Sequence, residues 1–379
     1  MTKGNISRRR FIEATAVGST VGIAGCSGSG DNGSGTDGSG ADGGGTDGSG
    51  ADSSGTDGDD GSGGQTILHN FEHGFSTGGL TYYPVQWGNE QGFFLEEDVS
   101  VNAFIGMGGG ASMQQLSAGN FQIGTNAMDS TVLARAEEAE VSQLTTWASL
   151  SHGLVAQEQY QSFEDLPEEI NLGISNPTSG STGAAYMMMA QNGIDPNRVT
   201  LVSIGGSRDR YLAVSNGDVD IGASVLDVAL EARADPATNI LTWAWDAGPD
   251  YYYMGTAVYE PWLEQSDENY DSAVRHTTAV MRAIDYAYEN QDEFREWAIS
   301  RDYLSEEIAG EYMELAFGDN GFNKRDPSMR PQALVDNNMT ILNQTDNLDE
   351  PYPDEGSLIR EDVYTDAKAR LESEYGISL

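Results

Sequence analysis

Between Ile174 and Ala185 the chain reads Ser-Asn-Pro-Thr-Ser-Gly-Ser-Thr-Gly-Ala, with a proline, glycines and hydroxyls crowded into one short stretch. Before it, Ile170–Ile174 alternates apolar and small residues, as a strand does; after it, Ala184–Gln191 is rich in Ala and Met and suits a helix. Ser179, Ser181 or Thr182 can cap that helix, because a side-chain oxygen satisfies an orphan amide of the first turn. The remaining amides and the positive end of the helix dipole face whatever lies beyond the strand end. Such a turn suits a carboxylate, a sulfonate, nitrate or a polar ring edge; the same residues also make an ordinary turn that touches only water. Side chains able to do catalysis are scarce. There are four histidines, His69, His73, His152 and His276, and a single cysteine. His69 and His73 have the spacing of a helical metal pair, yet they fall where a strand and its loop are expected. No catalytic group, metal or cofactor is expected.

The elements that must carry this turn begin after a long leader. Ser7-Arg8-Arg9-Arg10-Phe11-Ile12 resembles a twin-arginine export signal, and the apolar run behind it ends Ile23-Ala24-Gly25-Cys26, which resembles a lipoprotein cleavage box. Residues 1–26 are therefore taken as signal and lipobox, with Cys26 as lipid acceptor. The run is too short to span a bilayer as a helix, which needs about 20 apolar residues. Residues 27–64 are almost wholly Gly, Ser, Asp, Thr and Ala. They bury too little apolar area to offset the entropy of ordering and are expected to form a disordered tether. These features place the folded part on the outer face of the cell membrane, lipid-anchored.

Charge narrows the partners. The chain carries 60 acidic against 19 basic residues, a formal net charge of -41. Nucleic acid is excluded as a partner, since phosphate binding needs clustered positive charge. Self-repulsion of this size suits molar salt, where the Debye length is about 3 Å. A saline habitat follows.

Residues 65–379 are enough for two lobes. Strands are predicted at 66–71, 99–105, 121–125, 143–148, 170–175, 199–204, 219–223 and 240–244, with helices between them at 83–92, 111–118, 127–138, 182–191, 208–216 and 226–234. The alternation predicts βαβ units, an α/β fold and largely parallel sheets; beyond Glu268 the pattern is helical. One internal match stands out. Ser117-Ala118-Gly119-Asn120-Phe121-Gln122-Ile123-Gly124 and Ser215-Asn216-Gly217-Asp218-Val219-Asp220-Ile221-Gly222 share Ser-x-Gly-x-x-x-Ile-Gly. Each reads as a helix closed by glycine, then a buried strand, then a turn into another helix. Two copies imply two lobes on one plan, with a ligand cleft beyond the strand ends. Asn338-Met339-Thr340 and Asn343-Gln344-Thr345 match the glycosylation pattern.

These residues resemble a family. Tyr82-Tyr83-Pro84, Gln91–Val101, Gly108-Gly109-Gly110 with Leu116–Gly119, Phe163–Leu166, Gly193-Ile194-Asp195-Pro196 and Asn216–Asp220 are similar to solute-binding proteins of ABC importers. The branch is that of nitrate, sulfonates, taurine and the thiamine pyrimidine precursor. The resemblance implies a two-lobed type II periplasmic-binding fold with two hinge crossings, near His152–Gln157 and Tyr252–Tyr259. One lobe would hold 65–153 with 252–379, the other 154–251. It implies a monomer that captures a small-molecule solute and hands it to separate permease and ATPase chains. Matched by position, the implied ligand contacts are Tyr82, Gly110, Ala111, Ser112, Asn126, Ser181, Thr182, Gly183 and Asp227. Arg208 and Arg210 stand where a cation meets an anion, or else a solvated ion pair. Ser76–Pro84 is also similar to TAXI-type receptors of TRAP transporters, and thiamine-pyrimidine synthases share the fold, so both alternatives stay open.

Overall fold

The computed structural model describes residues 69–75, 80–105, 109–177, 179–247, 251–319, 321–339, 342–343 and 348–379. The export signal, Cys26, the tether, Thr178 and residues 76–79 lie outside them. Among the described residues, ten strands form two five-stranded sheets. The first contains β1 (His69–Phe75), β2 (Val99–Ile105), β3 (Ile123–Ala127), β4 (Val141–Ala148) and β10 (Met254–Tyr259), in the order β2-β1-β3-β10-β4. The second contains β5 (His152–Gln157), β6 (Ile170–Ile174), β7 (Val199–Ser203), β8 (Ile221–Val225) and β9 (Thr238–Trp243), in the order β7-β6-β8-β5-β9. The chain passes from the first sheet to the second between Ala148 and His152 and returns between Trp243 and Met254.

The alternation of strand and helix predicts parallel sheets, and here the structure differs. β1 lies parallel to β2 and β3, and β6 parallel to β7 and β8. β10, however, runs antiparallel to both β3 and β4, and β5 antiparallel to both β8 and β9. Each is the first strand after a crossing, entering its sheet from the hinge rather than from a crossover helix, so its direction is reversed. Gly255 makes the insertion of β10 possible: a Cβ there would lie 1.8 Å from the Thr145 carbonyl oxygen.

Among the described residues the helices of two turns or more are α1 (Tyr83–Glu90), α2 (Gly109–Ser117), α3 (Met128–Ala136), α4 (Gly180–Gln191), α5 (Ser207–Ser215), α6 (Leu226–Ala234), α7 (Asp267–Glu289), α8 (Gln291–Ser300), α9 (Glu306–Phe317) and α10 (Glu361–Tyr375). The sequence repeat is a structural repeat. Both helices end at its serine, α2 at Ser117 and α5 at Ser215. Gly119 and Gly217 follow with φ of 72° and 81°, the left-handed conformation that closes a helix without a Cβ penalty. Both strands begin at its isoleucine, β3 at Ile123 and β8 at Ile221, and both lead straight into a helix, α3 and α6.

Of the C-terminal helices, α7 and α10 pack on the first sheet, whereas α9 also packs on α6 of the second lobe, where Arg233 pairs with Glu311. Tyr83 of α1 meets Phe294 of α8 edge-on at 5.0 Å, and Trp87 meets Trp297 at 5.0 Å. Glu97, wholly buried, accepts from Arg370 of α10 at 2.6 Å and lies 3.9 Å from Arg282 of α7. A carboxylate this deep is tolerated only when paired. Trp147 Nε1 donates to the Thr81 carbonyl at 3.0 Å and so braces the turn Leu80–Tyr82.

Candidate functional site: a cavity between the two sheets

The starts of three second-lobe helices line one cavity. Ser179 is extended and caps α4, its Oγ accepting from the Thr182 amide at 3.4 Å. Ser207 opens α5, and Val225, extended, precedes α6. Opposite them stand Tyr82, Ala127, Tyr253 and Met254, and His152 reaches the cavity from the crossing. The repeat explains part of this convergence. Ala127 and Val225 occupy the same position in the two copies, four residues after the shared isoleucine, and each forms part of the wall. The enclosed volume is about 30 Å³. On the measure by which one water needs about 10–15 Å³, that is a space for a very small polar guest.

Arg210 dominates the chemistry. It is 2 % exposed. Its Nε donates to the Ala223 carbonyl at 2.8 Å, Nη2 to Ser207 Oγ at 2.9 Å, and Nη1 to the Gly205 carbonyl. These anchors come from the middle of β8, the first residue of α5 and the loop between β7 and α5, so the guanidinium is held on the second lobe. No carboxylate among the described residues lies within ion-pair distance of it. Burial pulls its pKa down to about 10, while Tyr253, Tyr82 and Asp209 oppose that pull. A buried cation without a counter-ion carries a desolvation cost of several kcal/mol that a bound anion would offset. Arg208 behaves otherwise: it is half exposed and pairs with Glu231 at 2.6 Å, the solvated bridge that the sequence allows.

His152 is wholly buried, edge-on to Tyr253 with ring centres 4.8 Å apart, and its Nε2 lies 3.2 Å from the Tyr253 hydroxyl. Burial first, and then the Arg210 charge, push its pKa down to about 3, so the imidazole is neutral. Its Nδ1 and Ser175 Oγ have no protein partner. The cavity thus offers one fixed cation, the amide ends of three helices and several unused hydrogen-bonding atoms.

Of the residues that the sequence proposes as contacts, Tyr82 and Ser181 form part of the cavity wall. Thr182 turns the other way, its hydroxyl donating to the Asn176 carbonyl at 2.8 Å to brace the loop. Gly110 abuts Asn176 across the cleft, where a Cβ would lie 2.6 Å from Oδ1. Ala111 is half-buried behind it in the first turn of α2, and Ser112 is buried with its Oγ unpartnered. Asn126 is wholly buried, with both amide atoms unpartnered; it does not cap α3, which starts after the extended Ala127. Gly183 faces Asp129, and Asp227 accepts from the Leu80 amide of the other lobe. The sequence does not single out His152 or Ser207; it leaves Arg210 open between an anion contact and a solvated ion pair, and Tyr253 as one of several aromatics near strand ends that pack in the core or wall the cleft. Arg210 carried a signal as a cation near a helix start, and Tyr253 as an aromatic near a strand end.

The aromatic residues near the strand ends are divided. Trp243 and Trp245 stack on each other, 4.6 Å apart and 11° from parallel, away from the cavity wall. Tyr251 donates to Asp129 at 2.6 Å. Asn338 is buried, donating to Asp129 Oδ1 at 3.0 Å and to the Tyr252 carbonyl at 2.7 Å, so in the folded protein it is closed to glycosylation.

Two mixed sheets joined by two crossings, with a polar cavity between them, define the two-lobed α/β fold of periplasmic binding proteins. The family model described as NMT1/THI5 like matches residues 81–294. That is more than half of the chain, and the chain belongs to this family. Among solved structures, the nitrate-binding protein NrtA of Synechocystis PCC 6803 is similar at a TM-score of 0.68 and 12% identity, over 80% of this chain and 89% of that one. The alkanesulfonate-binding protein SsuA of Xanthomonas axonopodis pv. citri, bound to MOPS, is similar at 0.63 and 10%, over 76% and 97%. SsuA of Escherichia coli, an aliphatic sulphonate binding protein, is similar at 0.57 and 12%, over 76% and 91%. At these identities the likeness is one of fold. No curated protein sequence matches the chain.

Proposed function

We propose that this protein is the extracytoplasmic substrate-binding subunit of an ABC importer and that its solute is a small anion. The observation that carries the reading is Arg210, a buried guanidinium with fixed backbone anchors and no carboxylate partner, set among three helix starts in an interlobe cavity. Nitrate, bound by one structural neighbour, and the sulfonates, bound by others, belong to this chemical class. The twin-arginine motif, Cys26 and the Gly/Ser/Asp tether support export and a lipid anchor that leaves the folded part free to meet a permease. A binding role is preferred to an enzymatic one. The cavity's histidine is neutral and fixed against Tyr253, and no activated nucleophile stands beside it among the described residues.

A helix terminus contributes about 0.3–1 kcal/mol, up to ~2 when partly buried, whereas a micromolar complex needs about 8. One lobe is not enough, so the solute must draw both lobes around it. A thermal-shift screen in molar KCl, followed by calorimetry, tests the reading against nitrate, methanesulfonate, taurine, acetate and a neutral aminopyrimidine. An anion should raise the melting temperature by mass action, and the neutral pyrimidine should not. Stabilisation by the pyrimidine alone would overturn the anion assignment.

A further inference from the structure

Two buried carboxyls outside the cavity wall lie at the seam between the lobes, one packed against the opposite lobe and one hydrogen-bonded to it. Asp129, in the first turn of α3, belongs to the first lobe and is 1 % exposed. Its Oδ2 lies against the first turn of α4 on the second lobe, where a Cβ built on Gly183 would sit 3.4 Å from it. Asp227, in the first turn of α6, belongs to the second lobe and is 5 % exposed. It accepts from the backbone amide of Leu80, in the first lobe's turn ahead of α1. Neither carboxyl has a basic partner among the described residues. We propose that Asp129 and Asp227 are positioning residues that form a reciprocal clasp across the cleft, and that protonation of the pair tightens closure. The inference rests on the reading that the cleft closes on a solute.

The groups around each carboxyl fix the sign. Tyr251 and Asn338 donate to Asp129, and Tyr253 lies near it; none of them is a cation. Glu231 on the next turn and Tyr312 of α9 face Asp227, with the Asp227, Val228 and Leu80 amides as donors. Burial is the largest influence on both and holds each carboxyl up at about 6. Opening the cleft hydrates them and returns them toward about 4. A carboxyl whose pKa is higher closed than open favours closure below the open-state value and loses that contribution as the pH rises through the closed-state value. Closure therefore takes up protons between about pH 4 and pH 6. On the cavity wall, His152 at about 3 and Arg210 at about 10 keep their charge states across this window, so they do not mask it.

The test uses the full chain in molar KCl at pH 5.0 and 7.5, with nitrate and methanesulfonate as calorimetric probes and small-angle scattering of the solute-free protein alongside. Wild type should bind about tenfold more tightly per carboxyl at pH 5.0 than at 7.5. Asp129→Asn and Asp227→Asn mimic the protonated carboxyl. The double variant should bind at pH 7.5 at least as tightly as wild type does at pH 5.0, with a flat pH profile. A residue that merely supports the fold would weaken binding at both pH values and leave the slope unchanged, and that result overturns the clasp. Binding by wild type without pH dependence also overturns it, while upholding the solute-binding reading. If neither probe binds, scattering decides: compaction on acidification that the double variant abolishes upholds the clasp, and a pH-independent radius ends it.

Discussion

Arg210 and Arg208 stand two residues apart on one helix and do opposite things. Arg208 points outward to Glu231 and gains little, since an exposed pair contributes about 0–1 kcal/mol. Arg210 points inward to carbonyls of β8 and the loop after β7 and keeps part of its fork free for the cavity. If the solute is an anion gripped by that fork, charge and geometry can be separated. Arg210→Gln removes both and should cost about 2–5 kcal/mol of affinity. Arg210→Lys keeps a charge but loses the planar fork and should fall between the two. Calorimetry with the best anion of the screen checks the order wild type, Lys, Gln; an unweakened Gln variant would remove Arg210 from the site. The sequence made a cation at this helix start visible, but not which of the two would be buried. That is decided by where Glu231 lies one helix away, a tertiary fact with no local signature. His152 was hidden for the same reason, and Tyr253 could not be told from its neighbours Tyr251 and Tyr252, since the facing of these residues is set by the two crossings.

At the scale of elements the sequence was far more legible. The Ser-x-Gly-x-x-x-Ile-Gly repeat marked a helix end, a left-handed glycine and a buried strand in both lobes, because each has a local physical requirement, although the strands begin at Ile123 and Ile221, two residues later than predicted. α6 was predicted at its observed bounds, and β2 likewise. Strand direction was not legible: a strand entering from a hinge has the same composition as one entering from a crossover helix. The start of α4 shows what the closed arrangement demands of a single element. A Cβ on Gly180 would meet the Ala127 Cβ at 2.8 Å and Tyr253 Cε2 at 2.9 Å. Tyr253 can shift, but Ala127 is pinned at the end of β3. Gly180→Ala should therefore wedge the lobes apart while suiting the first helical turn, where alanine outranks glycine. The expected outcome is solute affinity down by tenfold or more, unchanged far-UV dichroism and a larger scattering radius with solute present. An unchanged affinity would mean that the lobes close with enough slack to take the methyl group.

At the scale of the whole molecule the acidic excess sets the working conditions. Among the described residues an arginine that pairs takes one or two carboxylates, as Arg325 does with Asp285 and Glu289, and 60 acids against 19 bases leave a large excess of negative charge. Two effects then compete as salt is lowered. The exposed ion pairs strengthen, each by a fraction of a kcal/mol. The unpaired acids repel one another over a Debye length that grows from about 3 Å at 1 M to about 10 Å at 0.1 M, so each comes to feel several neighbours. With 41 more acids than bases, repulsion outweighs the pairs. Clasp and charge also act together, because Asp129 and Asp227 are the carboxyls that closure hides, and general repulsion between the lobes opposes that closure. Moving the protein from 3 M to 0.1 M KCl should lower its melting temperature by roughly 10 °C or more, equivalent to several kcal/mol for a chain of this size. Thermal melts followed by dichroism at constant pH measure it. A melting temperature that rose on dilution would show that the ion pairs dominate, and the acidic surface would then need an explanation other than salt.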